Sequence, residues 1–205
     1  MKYVKKIPYD HEKSVELYAD GWKKLREPKS LKTALLFSLP FMILNGLFSL
    51  CFLIQLGSPI GDLMRDPSFT IRIDYTLILY LAAMFAFILV HELLHAVFIP
   101  NLFRSEKTFW GLTLFGGFVV TAEEISKPRF IWISFAPFLI LSVLLPLALG
   151  ALGILNCFLS FLFIVNAMGS AVDFLNAAMV IFQTPPQSRI VSNGFETYYK
   201  STKEE

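Results

Sequence analysis

Four apolar runs, at about residues 33–56, 75–98, 130–155 and 157–182, constrain this 205-residue chain more than any other feature. A hydrocarbon core about 30 Å thick is crossed by about 20 helical residues at about 1.5 Å each, and every run meets that length. Composition agrees with the runs. Of all residues 55% are hydrophobic and only 17% charged, against about a quarter charged in an ordinary soluble domain. The expected fold class is an all-α polytopic membrane protein of about four transmembrane helices. The last two spans, parted only by a turn near residues 150–156, should form an antiparallel hairpin.

Basic residues set the expected orientation. Residues 1–32 hold nine Lys or Arg, whereas the loop after the first span holds only Arg65 and Arg72. The loop after the second span holds Arg104, Lys107, Lys127 and Arg129, and the tail holds Arg189, Lys200 and Lys203. Lys and Arg favour the cytoplasmic side, so both termini and the second loop are expected there. Three parts follow: a cytoplasmic amphipathic N-terminal segment (1–32), a single transmembrane domain (33–183) and a cytoplasmic tail (184–205). The first span follows a long polar lead and is too long for a signal sequence, so it is read as a retained helix. The net charge of +2 gives no sign of a nucleic-acid surface. Cys51 and Cys157 read as small packing residues rather than a disulfide.

Two segments outside the spans carry pattern. Val15, Tyr18, Trp22 and Leu25 recur at spacings of three and four. That suits either a helix lying on the inner leaflet or one packed on the loops. Residues 109–121 are apolar, too short to cross, and interrupted by Gly116-Gly117. They fit two extended segments joined by a glycine turn, or a re-entrant loop, dipping in beside the second span.

The second span also carries ionisable groups. His91-Glu92-Leu93-Leu94-His95 contains two of the chain's three histidines, the third being His11. Residues four apart share a helix face about 6 Å apart, so two imidazoles can converge on one Zn²⁺ at about 2.0–2.1 Å. Glu92, about 100° further round the helix, can reach a water on that metal without ligating it. Its chemistry would be general base and then proton shuttle.

A catalytic zinc needs a third protein ligand and an open position. Glu92 aside, Asp173 is the only carboxylate well inside an expected span. Counting from the span ends places it within roughly 2–9 Å of the depth of His95. The rival ligand is Glu123 or Glu124, in the loop beyond the motif, where a solvated face is the plainer role. Asn166 lies two turns before Asp173, and either supports the ligands or donates to a substrate carbonyl. Asn176 is a second candidate for that role. Charged, unpaired groups at hydrocarbon depth cost at least about 2.5 kcal/mol each, which weighs against accident. A non-catalytic metal-binding or scaffold protein, or a membrane hydrolase of lipid or another amide, is the alternative class.

These residues resemble the site-2 protease class of intramembrane zinc metalloproteases. More nearly, they resemble a small bacterial group of zincin membrane peptidases. That group has a similar His-Glu-x-x-His span, a Gly-containing loop, an Ala-Pro span (Ala136-Pro137 here) and a final Asn…Gly-Ser…Asp helix. The likeness runs from about residue 33 to the tail. It implies Zn²⁺ on His91, His95 and Asp173, with Glu92 as base and Asn166 at the scissile region. It also implies that a hairpin at Gly116 and Gly117 pairs with an unwound membrane-protein or peptide substrate. The implied location is the lipid bilayer of the bacterial cytoplasmic membrane. Gly169 and Phe174 stand where the protease class carries Pro and Gly, and no PDZ-like domain is expected among these residues.

Overall fold

The computed structural model describes residues 1–66, 74–102, 105–113 and 116–202. Of the residues weighed above, Arg72, Arg104, Lys203 and the 114–115 tip of the apolar loop lie outside them.

Four helical stretches are long and apolar enough to cross a membrane: Lys32–Gln55, Tyr75–Val97, Lys127–Ala151 and Cys157–Gln183. Local chemistry fixes where they start. The first belongs to α2 (Leu31–Gln55), opened by a capping box between Ser30 and Thr33. It follows a short α1 (His11–Ala19) and precedes the one-turn α3 (Ile60–Arg65). The second is α4 (Tyr75–Val97), whose Asp74 cap accepts from the Thr76 N–H at 2.8 Å.

The third span is not a regular helix. It runs as α5 (Lys127–Phe138), a π-helical stretch Leu139–Leu144, and α6 (Leu145–Ala151). Pro137 and Pro146 bracket the widened stretch, because each lacks the N–H that an α-helical ladder needs there. The fourth opens on Asn156, which accepts from the Leu159 N–H at 2.9 Å, and breaks at Ser170 into α7 (Cys157–Gly169) and α8 (Ala171–Gln183). In the bundle α2 packs on α7 and α8, while α4 packs on α5 and α7.

The expectation of an all-α chain is corrected by two small sheets. In the first, β3 (Thr108–Thr113) and β4 (Gly116–Thr121) pair as an antiparallel hairpin, and β1 (Lys2–Tyr3) adds in parallel to β3. The strand order β1-β3-β4 leaves one side of β4 unpaired, and β4 packs on α4. The second sheet has the order β2-β7-β6-β5, from β2 (Lys23–Lys24), β5 (Ile125–Ser126), β6 (Ser188–Asn193) and β7 (Glu196–Ser201).

The tail is therefore the centre of a sheet rather than a loose extension. Its β6–β7 turn uses Gly194 at φ +68°, the conformation a two-residue hairpin loop asks of its first position. The apolar N-terminal face is split. Trp22 lies beyond α1 and is buried with Leu17, Val191 and Tyr198, whereas Val15 and Tyr18 point outward. A second cluster joins Leu25, Ile125 and Ile190 to Val180 of α8, with Phe130 and Ile133 of α5 packed against it. The sheet thus grips the ends of the two helices that frame the candidate site.

Candidate metal centre

α4 brings His91 and His95 to one face, their rings 5.0 Å apart. α8 presents Asp173 to them from across the bundle. The His91 Nε2 lies 3.4 Å from one carboxylate oxygen, and the His95 Nε2 lies 3.4 Å from the other. Among the described residues these three form the one group of His, Cys, Asp or Glu able to hold a metal, with ligand atoms within 4.8 Å of one another. Glu123 accepts from the Ser105 hydroxyl at 2.6 Å and Glu124 pairs with Arg189 at 3.7 Å, so neither takes the third position.

The donor set fits zinc on geometric grounds. Two ligands, each about 2.0–2.1 Å from a tetrahedral ion, stand about 3.3–3.4 Å apart, close to the 3.4 Å between each imidazole Nε2 and its Asp173 oxygen. The tautomers fit as well. The His91 Nδ1 donates to the Asn166 Oδ1 at 2.9 Å, and the His95 Nδ1 donates to the Ile133 carbonyl at 2.8 Å. Both acceptors are oxygens, so the protons sit on Nδ1 and both Nε2 lone pairs face the gap.

The Ile133 carbonyl is free for this because of a residue four places on. In an α-helix it would accept the N–H of residue 137, and residue 137 is proline. Pro137 thereby turns a spent backbone group into an anchor for His95. Asn166 has its own support. Its Nδ2 donates to the Ser142 Oγ at 2.9 Å, and that hydroxyl donates to the Phe163 carbonyl at 3.2 Å. Ser142 stands in the π-helical stretch, where the widened turn helps to bring it to α7. Both ends of the Asn166 amide are thus engaged in holding His91. Phe174 packs against Phe41, Phe135 and Phe138, bracing the turn that carries Asp173 between α2 and α5.

Glu92 faces β4. A Cβ built on Gly117 would stand 3.2 Å from the Glu92 Cγ, so glycine is what lets the strand come this close. The hairpin register alternates. With Gly111 and Phe118 exchanging hydrogen bonds, the backbone groups of Gly117, Val119 and Thr121 point away from β3. The outward Val119 N–H accordingly reaches the Glu92 carboxylate. A cleft of ≈ 200 Å³ opens alongside, walled by Met84, Phe87, Leu162 and Val165 and reaching His91 and Glu92. Asn176 makes no hydrogen bond to these groups among the described residues. Gly116 lies in β4 at the mouth of the hairpin, opposite Thr113.

A helix carrying His91-Glu92-x-x-His95, an aspartate converging from a second helix and fixed imidazole tautomers together define the zincin class of metal-dependent peptidases. The chain belongs to the family described as "Putative zincin peptidase", whose sequence profile matches residues 84–189, more than half of the chain and every group of the centre. No curated protein and no solved structure matches the chain.

Proposed function

We propose that the protein is an intramembrane zinc metallopeptidase that cuts peptide bonds of membrane-associated substrates. It would lie in a bacterial cytoplasmic membrane with both termini in the cytoplasm. One observation carries the reading: two imidazoles with fixed tautomers and one carboxylate converge at ligand spacing, with a further carboxylate beside them on an unpaired strand edge. Zinc bound there supplies a water of lowered pKa and polarises the scissile carbonyl.

The chain's own residues do the rest. A Glu92 oxygen takes the proton of the attacking water and passes it to the departing nitrogen. The outward backbone groups of Gly117 and Thr121, with the Val119 carbonyl, add an extended substrate to β4 as a further strand, while the Val119 N–H holds Glu92. A transmembrane helix must unwind to be cut, and this edge satisfies the backbone groups that unwinding frees. Asn166 and the Ile133 carbonyl keep both imidazoles aimed through their Nδ1 protons.

The test is Glu92→Gln in the full-length protein. Zinc content and melting temperature should stay at the wild-type level, while hydrolysis of a membrane-peptide substrate falls about 10²-fold or more. Undiminished turnover would overturn the assignment.

A further inference from the structure

α4 and α7 run side by side, pinned together by two aromatic pairs. The ring centroids stand 4.4 Å apart at Tyr80–Phe158 and 5.9 Å apart at Phe87–Phe163. Beside the metal centre the two helices part and leave the cleft of ≈ 200 Å³. We propose that this cleft is a subsite for one large apolar side chain of the substrate, next to the scissile bond, and that Gly169 sets its width. The proposal rests on the peptidase reading above, to which it adds the kind of residue beside which the chain is cut.

Two facing stripes make the walls. On α4 they are Met84, Phe87 and Ile88, which lead to His91 and Glu92 at helical spacings. On α7 they are Leu162, Val165 and Gly169, on the face that also carries Asn166. The only polar side chains at the cleft are therefore His91, Glu92 and Asn166, which belong to the metal centre and its support. No other charged group lines it, so the walls select apolar bulk. Gly169 is where the α7 wall falls short. Among the described residues nothing comes within 4 Å of a Cβ built there, so the missing side chain leaves open space.

Size and position select the occupant. A dry cavity of about 150 Å³ lined by Leu, Ile and Phe admits a benzene ring, whereas sites for whole small molecules begin at about 300 Å³. The cleft lies between these values and suits one aromatic or long aliphatic side chain. A Cβ built on Gly117 would stand against the Glu92 Cγ, so that face of the first sheet is turned to α4. Residues opposite one another on neighbouring strands carry their side chains on the same face. A peptide residue paired with Gly117 therefore turns its side chain toward α4 at Glu92, where the cleft opens. Its two neighbours in the peptide turn theirs away.

The experiment measures binding apart from cleavage. Full-length Glu92→Gln protein in nanodiscs is titrated with fluorescein-labelled, strand-forming peptides carrying a single Phe at successive positions, or Ala in its place. Protein-free nanodiscs give the background of partition into lipid, which is the same for every position. Fluorescence anisotropy should show one position at which Phe binds about tenfold tighter than Ala, with no preference at the positions on either side. In the same background Gly169→Leu, whose side chain fills the cleft, should abolish that preference at unchanged zinc content and melting temperature. Should this variant melt early, Gly169→Ala should cut the preference about threefold. The proposal fails if no position distinguishes Phe from Ala, if adjacent positions do so equally, if no peptide binds, or if the preference survives the Gly169 change. It fails too if mass spectrometry finds a lipid retained by the protein and released by Gly169→Leu, because an acyl chain is then the occupant. Wild-type cleavage of the same peptides is followed in parallel. A Gly169-dependent preference without cleavage keeps the pocket and sinks the peptidase, whereas cleavage indifferent to that side chain does the reverse.

Discussion

The helical bundle and the second sheet are built on opposite rules. Inside the bundle the buried positions include Ser38, Asn45, Ser49, Ser142, Ser160, Asn166 and Ser170, while Leu36, Phe37, Leu44, Ile78 and Phe182 face outward. Around the second sheet the order is the familiar one, with Leu17, Trp22, Val191 and Tyr198 inside. Lipid is as apolar as leucine, so helices that cross a membrane meet through small and polar side chains, whereas the second sheet is held by apolar burial. The contrast gives a polar residue different weight in each place. In the bundle it marks a contact or a site, and in the sheets it is mostly surface.

Variants can break this comparison. The largest effect is expected from Asp173→Ala, which leaves two imidazoles without their third partner. Zinc per protein, measured by atomic emission, should fall to background while the sheets stay folded. Next comes Pro137→Ala. It returns an N–H to position 137, which competes for the Ile133 carbonyl and loosens His95. Zinc should bind about 10–100-fold more weakly, as when other groups behind metal ligands are removed, with little change in melting temperature. Wild-type affinity in this variant would mean that the carbonyl does not position the ring. The mildest for the site, although the costliest for folding, is Trp22→Ala. It should cost about 3–5 kcal/mol of sheet stability in denaturant unfolding and leave zinc stoichiometry intact. An emptied metal centre in that variant would show that the two regions do not stand apart.

The same contrast explains what could be read from the chain beforehand. The four spans were legible to within a few residues, because a bilayer imposes one length on every crossing helix. His91, Glu92, His95 and Asp173 stood out because ionisable groups are scarce in spans. Their supports did not. The Ile133 anchor is a backbone carbonyl, which any residue type supplies, and its only signature is the proline four places on. Ser142 was one hydroxyl among many until the π-helical stretch aimed it at Asn166. Extended segments within residues 109–121 were one reading of the sequence, but the partners that make them and the tail into sheets escaped notice, because several strands are two residues long and pair across most of the chain, Lys2 with Phe109 and Lys24 with Tyr198. Asn193-Gly194 suits a hairpin turn, yet a turn alone does not announce the strands that will flank it.

The distance in sequence between the two halves of the metal centre bears on how the protein is made. His91, Glu92 and His95 enter the membrane on the second span, and Asp173 arrives only on the fourth. Throughout the interval the nascent chain holds three ionisable groups at hydrocarbon depth without the carboxylate that completes their site. The strands β6 and β7, which close the second sheet over the ends of α5 and α8, are translated later still. The three groups that could hold a metal are therefore present together only once the last helix has been made.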